Sequence, residues 1–241
     1  MAQSIAAIVT AYNSDRFIGE AVASIRAQTR PPDEIIVMDD GSTDRTGEIV
    51  AGLGRDIRYV RQENRGEAAA RNRAIAQTTS DFIAFLDADD AWPPERTTHL
   101  LDHVRDAGPE VDIVCGRSRY FRDEPWEAAL LPGVARPEVT TLVFSCALIR
   151  RTAFERVGAV NETIRIGSDF DWFLRAIEVG ILPRLANQVA LLYRRHGGNL
   201  TADFRDVKAA LAMVLKRSLD RRRQRGAALP LPAWVSAALS R

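Results

Sequence analysis

Short β-rich runs alternate with amphipathic stretches through the first half of this chain, and that alternation restricts the fold more than any other feature. Residues 4–10, 34–38, 57–60, 81–86 and 111–115 are apolar runs of strand length. Between them, Phe17, Ile18, Ala21, Val22 and Ile25 fall on one helical face, and residues 44–53 and 67–76 read as helices. A further helix begins near Pro94, where proline is tolerated in a first turn, and ends by Gly108. Strands that alternate with helices need crossover connections, so the expected fold is α/β with a mostly parallel central sheet flanked by helices.

Beyond Gly116 the rhythm breaks. Residues 117–141, with Pro125, Pro132 and Pro137, read as loops or a small antiparallel excursion. Residues 147–157 return to strand then helix, Ser168 opens a periodic helix carrying Phe170, Phe173, Leu174 and Ile177, and residues 189–193 form another strand. An amphipathic helix with Phe204, Val207, Leu211, Val214 and Leu215 leads into a basic run and a tail containing Trp234. The expected organisation is a ligand-binding α/β half over residues 1–116, a second half of the same domain over 117–205, and a C-terminal helix and basic tail over 206–241.

The sheet matters for function because two acidic clusters directly follow two of its strands. Asp39-Asp40-Gly41-Ser42 follows one apolar run, and Asp87-Ala88-Asp89-Asp90 follows another. In a parallel sheet the carboxyl ends of strands open onto one crevice, so these acids converge there and call for a cation. With 33 Lys plus Arg against 32 Asp plus Glu, no global field draws the chain to nucleic acid, and an anionic ligand must be held locally. No stretch reaches the roughly 20 apolar residues of a membrane span and no basic leader precedes the first apolar run, which points to a cytoplasmic protein. Cys115 and Cys146 lack metal-ligand spacing and read as buried small side chains.

Hard carboxylate oxygens at the end of the fourth strand suit Mg²⁺ or Mn²⁺ bridging a diphosphate, with Asp89 or Asp90 as ligand and Asp87 reaching sugar hydroxyls. Thr10 and Tyr12 end the first strand beside Asp40, where an aromatic face and a carboxylate fit a nucleobase. A turn in which Ser42 or Asp44 caps the next helix also explains that first cluster. Arg71, one turn inside the helix after Gly66, can present a guanidinium to a nucleotide, or be a solvated residue of a small-residue helix.

Taken in order, Thr10-Ala11-Tyr12-Asn13, Asp39-Asp40-Gly41-Ser42-Thr43-Asp44, Asn64-Arg65-Gly66 with Ala70-Arg71-Asn72, Asp87-Ala88-Asp89-Asp90, and Arg150-Arg151 with Val157-Gly158 resemble the family 2 glycosyltransferases of GT-A type. The resemblance implies a Rossmann-like sheet with a small antiparallel acceptor-side part. It also implies a nucleotide-diphosphate-sugar donor, UDP-linked or otherwise, an aspartate-held Mn²⁺ or Mg²⁺, and inversion at the anomeric carbon. It places the general base at Asp169, in Ser168-Asp169-Phe170-Asp171, where relatives usually carry Glu-Asp and this chain has Ser168 first. Ser168 as N-cap with Asp171 three residues on reads as a capping box. His196, after the last strand, is a candidate metal or neighbouring residue, since some relatives place a histidine there.

Three other functions fit parts of the pattern. A nucleotidyltransferase uses a similar sheet, but Tyr12-Asn13 stands where a Gly-rich phosphate loop is expected. A glycoside hydrolase pairs carboxylates without a nucleotide, and a non-catalytic sugar-binding relative would keep the fold. The acceptor, a glycan, lipid-linked or small-molecule hydroxyl, leaves no signature. Lys216, Arg217 and Arg221 to Arg223 read as a solvated helix end, or as a peripheral contact with an anionic membrane through the basic tail.

Overall fold

The computed structural model describes residues 3–121, 138–200 and 204–226. Within them the elements run β1 (Ile5–Ala11), α1 (Ile18–Arg26), β2 (Glu34–Asp39), α2 (Thr46–Leu53), β3 (Ile57–Arg61), α3 (Glu67–Ile75), β4 (Phe82–Asp87) and α4 (Arg96–Ala107). There follow β5 (Ile113–Phe121), β6 (Glu138–Thr140), a 3-10 turn (Phe144–Cys146), β7 (Ala147–Arg150), α5 (Arg151–Val157), α6 (Ser168–Glu178), β8 (Arg184–Arg194) and α7 (Phe204–Gln224).

One sheet runs in the order β3-β2-β1-β4-β7-β5-β6, with β8 on the other side of β5. The pairs β1–β2, β1–β4, β2–β3 and β5–β8 are parallel, whereas β7 and β6 pair antiparallel with their neighbours. Every residue of β1 is buried, as expected for a central strand covered on both faces. Its side chains alternate between two cores. Ile5, Ala7 and Val9 pack with α1, α2 and α4, while Ile8 faces the core built on α3, α5 and α6 around Trp172 and Phe173.

The strand and helix expectations of the first half hold to within a few residues. Two boundaries differ. β5 continues through Gly116 to Phe121, with irregular register against β8 on both sides of Arg117. Gly116 is required there by a close approach: a Cβ would stand 2.5 Å from Ala190 Cβ and 2.8 Å from the Gln188 carbonyl oxygen. β8 correspondingly starts at Arg184, ahead of the expected 189. Pro125, Pro132, Pro137 and Trp234 lie outside the described residues. Both cysteines are free and buried.

Parallel register delivers the site. Thr10 on β1 is level with Asp87 on β4, and Ala11 is level with Asp39 on β2, so three loops leave the sheet at one edge.

Candidate active site

The turns after β1 and β2 are laced together, as their positions at the ends of neighbouring strands demand. Asn13 donates its amide to Ser42 Oγ at 2.9 Å, and its own Oδ1 accepts the Thr43 amide at 2.8 Å. Asn13 has φ of 48°, a left-handed backbone that asparagine tolerates better than most side chains. The preceding Tyr12 stays half exposed at the crevice. Asp44 accepts the Thr46 and Asp15 amides and so ties the turns, but the N-cap of α2 is Arg45, and neither Ser42 nor Asp44 holds that position. Burial works to raise the Asp44 carboxyl, but these bonds together hold it below its usual range.

Asp40 is buried and organises the third loop. Its Oδ1 accepts Gln62 Nε2 at 2.7 Å and the Arg65 amide at 2.9 Å, and its Oδ2 accepts the Gly66 amide at 2.8 Å. Gly66 has φ of 92° and leads into α3, whose Ala68, Ala69, Ala70 and Ala74 let the helix lie close on the sheet. Arg71 is consequently carried inward and only 3% exposed.

Asp87 is where the elements meet. Its Oδ1 accepts Arg71 Nη2 at 3.0 Å and Thr10 Oγ1 at 3.3 Å, and its Oδ2 accepts Ser145 Oγ at 2.8 Å. Burial tends to raise Asp87, yet the Arg71 charge and hydrogen bonds with Ser145, Glu67 and Arg71 prevail and lower it. Arg71 Nη2 also binds Glu67 Oε1 at 2.6 Å. Asp169, in the first turn of α6, belongs to the same electrostatic group: burial and then Asp87 raise its carboxyl, against Arg71 and the Phe170 amide.

The other two acids of the cluster part company. Asp89 accepts His196 Nε2 at 2.9 Å and Asn199 Nδ2 at 3.2 Å and keeps 28% of its side chain open. His196 Nδ1 accepts the Gly198 amide at 3.2 Å, and the ring lies 4.9 Å from Phe17. Burial first, then Asp87, raises Asp89 against the pull of His196. Asp90 is turned inward and 1% exposed, its Oδ1 taking the Arg194 amide at 2.8 Å while Oδ2 is buried without a partner. Burial, with Asp89 and Asp87 nearby, pushes Asp90 well above the ordinary range.

Among the described residues, no group of three or more His, Cys, Asp or Glu is arranged to hold a metal ion. Asp89 and His196 are a two-residue donor set, which suits a divalent ion whose remaining ligands are phosphate oxygens and water.

The expected capping box on α6 is absent. Gly167, with φ of 82°, is the N-cap, and Asp171 instead receives Arg175 Nε at 2.9 Å and Arg221 Nη1 at 3.0 Å. Glycine there needs no side-chain cap, and two guanidiniums hold a buried carboxylate more firmly than a single amide. Arg221 also grips Glu178, so part of the basic run anchors α7 to α6.

Three residues escaped the sequence reading. Ser145 comes from a 3-10 turn 58 positions beyond Asp87 and gives no local signal. Glu67 stands four residues before Arg71, a helical ion-pair spacing that could have flagged it. Asn199 accepts the His196 amide at 2.7 Å three residues away, a short loop contact of the kind asparagine favours.

A family model described as Glycosyl transferase family 2 matches residues 6–158, more than half of the chain. The chain belongs to glycosyl transferase family 2. It is 33% identical over 225 residues to the succinoglycan biosynthesis protein ExoU of Rhizobium meliloti (strain 1021), covering 83% of this chain and 64% of that one. It is 30% identical over 209 residues to the Escherichia coli UDP-Glc:alpha-D-GlcNAc-diphosphoundecaprenol beta-1,3-glucosyltransferase WfaP, covering 83% of this chain and 80% of that one. The chain thus spans less than two thirds of the length of ExoU, and 57% of an uncharacterized glycosyltransferase of Rickettsia typhi (strain Wilmington).

Solved GT-A structures share the fold. S. aureus TarS 1-349 in complex with UDP superposes with a TM-score of 0.67 at 21% identity, over 88% of this chain and 65% of that one. Glucosyl-3-phosphoglycerate synthase from Mycobacterium tuberculosis, in complex with Mn²⁺, UDP and phosphoglyceric acid, gives 0.61 at 22% identity, over 88% and 78%. No helix among the described residues is long and apolar enough to cross a membrane.

Proposed function

We propose that this family 2 chain is an inverting, metal-dependent transferase that moves a sugar from a nucleoside-diphosphate sugar to an acceptor hydroxyl. The observation that carries the reading is the Asp87–Arg71 ion pair at the end of β4, with Asp169 within its field and the Asp89–His196 pair two residues along the chain from Asp87. A UDP-linked donor is favoured by the names of the relatives, WfaP using UDP-Glc and TarS having been solved with UDP.

In this reading Tyr12 offers its exposed ring to the nucleobase beside the loop that Asp40 holds in shape. Asp87, fixed as an anion by Arg71, Ser145 and Thr10, accepts a sugar hydroxyl. Asp89 and His196 would hold Mn²⁺ or Mg²⁺, which supplies positive charge for the departing diphosphate. Asp90, closed to the crevice, supports the loop through the Arg194 amide rather than binding the ion. Asp169 takes the acceptor proton as the hydroxyl attacks the anomeric carbon, and its upward shift, caused first by burial, makes it more basic than a free carboxylate. A single displacement of this kind inverts the anomeric centre. The acceptor remains a hydroxyl of a glycan, lipid-linked or small molecule, and the membrane contact of the basic tail stays a proposal to be read by vesicle co-sedimentation.

The test is product analysis. The protein is incubated with UDP-glucose, UDP-galactose and UDP-N-acetylglucosamine, with and without Mn²⁺ and with and without added pyrophosphate, and UDP and UTP are separated by ion exchange. Metal-dependent release of UDP is the expected result, lost in Asp169→Asn while UDP still binds. Formation of UTP from added pyrophosphate, or full turnover by Asp169→Asn, contradicts the mechanism. No turnover with detectable UDP binding supports a non-catalytic sugar-binding relative.

A further inference from the structure

Three carboxylates, Glu67, Asp87 and Asp169, act on the buried guanidinium of Arg71, but they do not share it equally. Arg71 forms its ion pairs with Glu67, at 2.6 Å, and Asp87, at 3.0 Å, both through Nη2. Asp169 acts on Arg71 only through its field. A guanidinium that closed onto Asp169 in a bidentate pair would stabilise the carboxylate and strip it of basicity. Something must hold the cation in place, and Asp87 alone offers it one oxygen.

Glu67 is built for that task. The two amides immediately before it, those of Arg65 and Gly66, are clamped by Asp40. Its Cα is therefore fixed by the same loop that frames the donor side, and the i,i+4 spacing aims its carboxylate at Arg71 along the helix face. Its side chain remains 36% exposed, at the mouth of the crevice.

We propose that Glu67 is a positioning residue of the transfer reaction: by taking Arg71 Nη2 jointly with Asp87, it keeps the guanidinium from closing onto Asp169 and leaves that carboxylate free to accept the acceptor proton. The inference rests on the assignment of Asp169 as base. Among the described residues, the charged or titratable groups facing Asp169 are Glu67 and Arg71 from α3, Asp87 from β4 and Cys146 from the 3-10 turn. Asp171, on the same helix, is turned to Arg175 and Arg221.

The experiment compares Glu67→Ala and Glu67→Gln in the full chain. The Asp169 carboxyl is followed by carbon-13 NMR titration, its resonance identified by loss in Asp169→Asn, and turnover is measured with the panel donor the wild type uses fastest. Glu67→Ala removes the shorter-bonded of the two acceptors of Nη2, so the Asp169 midpoint should fall by about one pH unit and kcat by about tenfold, with the donor KM within about twofold. Glu67→Gln keeps a carbonyl oxygen in place and should recover most of both. Equal effects of the two variants would mean that only the charge of Glu67 matters, and the proposal fails. No movement of the midpoint in either also overturns it, even if thermal stability drops. Because the titration needs no turnover, it judges Glu67 separately from the base assignment, which stands or falls on the inactivity of Asp169→Asn.

Discussion

Replacing Arg71 by methionine tests the electrostatic centre of the site most directly. Methionine fills similar volume but removes the cation from two ion pairs, at 2.6 Å to Glu67 and 3.0 Å to Asp87. Removing one partner of a buried pair costs roughly 3–5 kcal/mol because the other charge is left stranded. Asp87 keeps its Ser145 and Thr10 hydrogen bonds and is 26% open to water, so the lower end applies, about 3 kcal/mol at pH 7.5. That corresponds to a fall in Tm of roughly 6–12 °C for a chain of this size.

The pH dependence has a definite sign. Asp87 is lowered in the wild type, so its stabilising contribution is present above its ordinary unfolded value and is lost only as pH falls through a still lower one. That window lies below pH 5. Glu67 is pushed up to about 8, by burial first and by Asp87 and Asp169 against Arg71, so its protonated form favours folding at low pH and the benefit is lost as pH rises through about 8. Without Arg71 the Asp87 carboxyl loses the charge that lowers it and those of Glu67 and Asp169 rise further, so acid relieves the variant more than the wild type. Urea unfolding should therefore give a difference of about 3 kcal/mol at pH 7.5 that shrinks to about 1 kcal/mol at pH 5. An equal difference at both pH values, or one below about 1 kcal/mol at pH 7.5, would refute the argument.

The remaining expectations separate residues that share a motif. Asp89→Ala should abolish the Mn²⁺-dependent gain in UDP affinity measured by calorimetry. Asp90→Asn should preserve that gain and cost less than about 1 kcal/mol, since the carboxyl it replaces is held well above its ordinary range. Asp40→Ala strands the Gly66 and Arg65 amides, so it should lose about 2–3 kcal/mol in thermal unfolding and weaken UDP binding together. Gly116→Ala forces a Cβ against Ala190 and the Gln188 carbonyl and should cost about 2–3 kcal/mol with no specific loss of donor affinity in the protein that remains folded.

The local pattern of side chains carried the architecture. A strand buried on both faces needs a continuous apolar run, as β1 and β4 have, and the intervening helices need apolar stripes, so the parallel half of the sheet was legible without coordinates. The acids after β2 and β4 were legible for the same reason, because strand ends in a parallel sheet face one crevice. Ordered motifs identified the family, since their spacing survives where no single residue is decisive.

Tertiary structure alone decided which way each acid points. Asp89 and Asp90 are neighbours in sequence, yet one meets His196 across 107 positions while the other is sealed beneath the Arg194 amide. A side chain's direction depends on what packs against it, and the partners here arrive from β8 and its following loop. The same holds for Asp171, which the helix-start pattern assigned to a cap and α7 claimed as the anchor for Arg221. The Asp87 site is likewise assembled from Thr10, Arg71 and Ser145, residues from three separate elements. Sequence supplies such groups in an order set by the chain, whereas their charges act through space, and only the folded arrangement determines which carboxylates are neutralised and which remains free to take a proton.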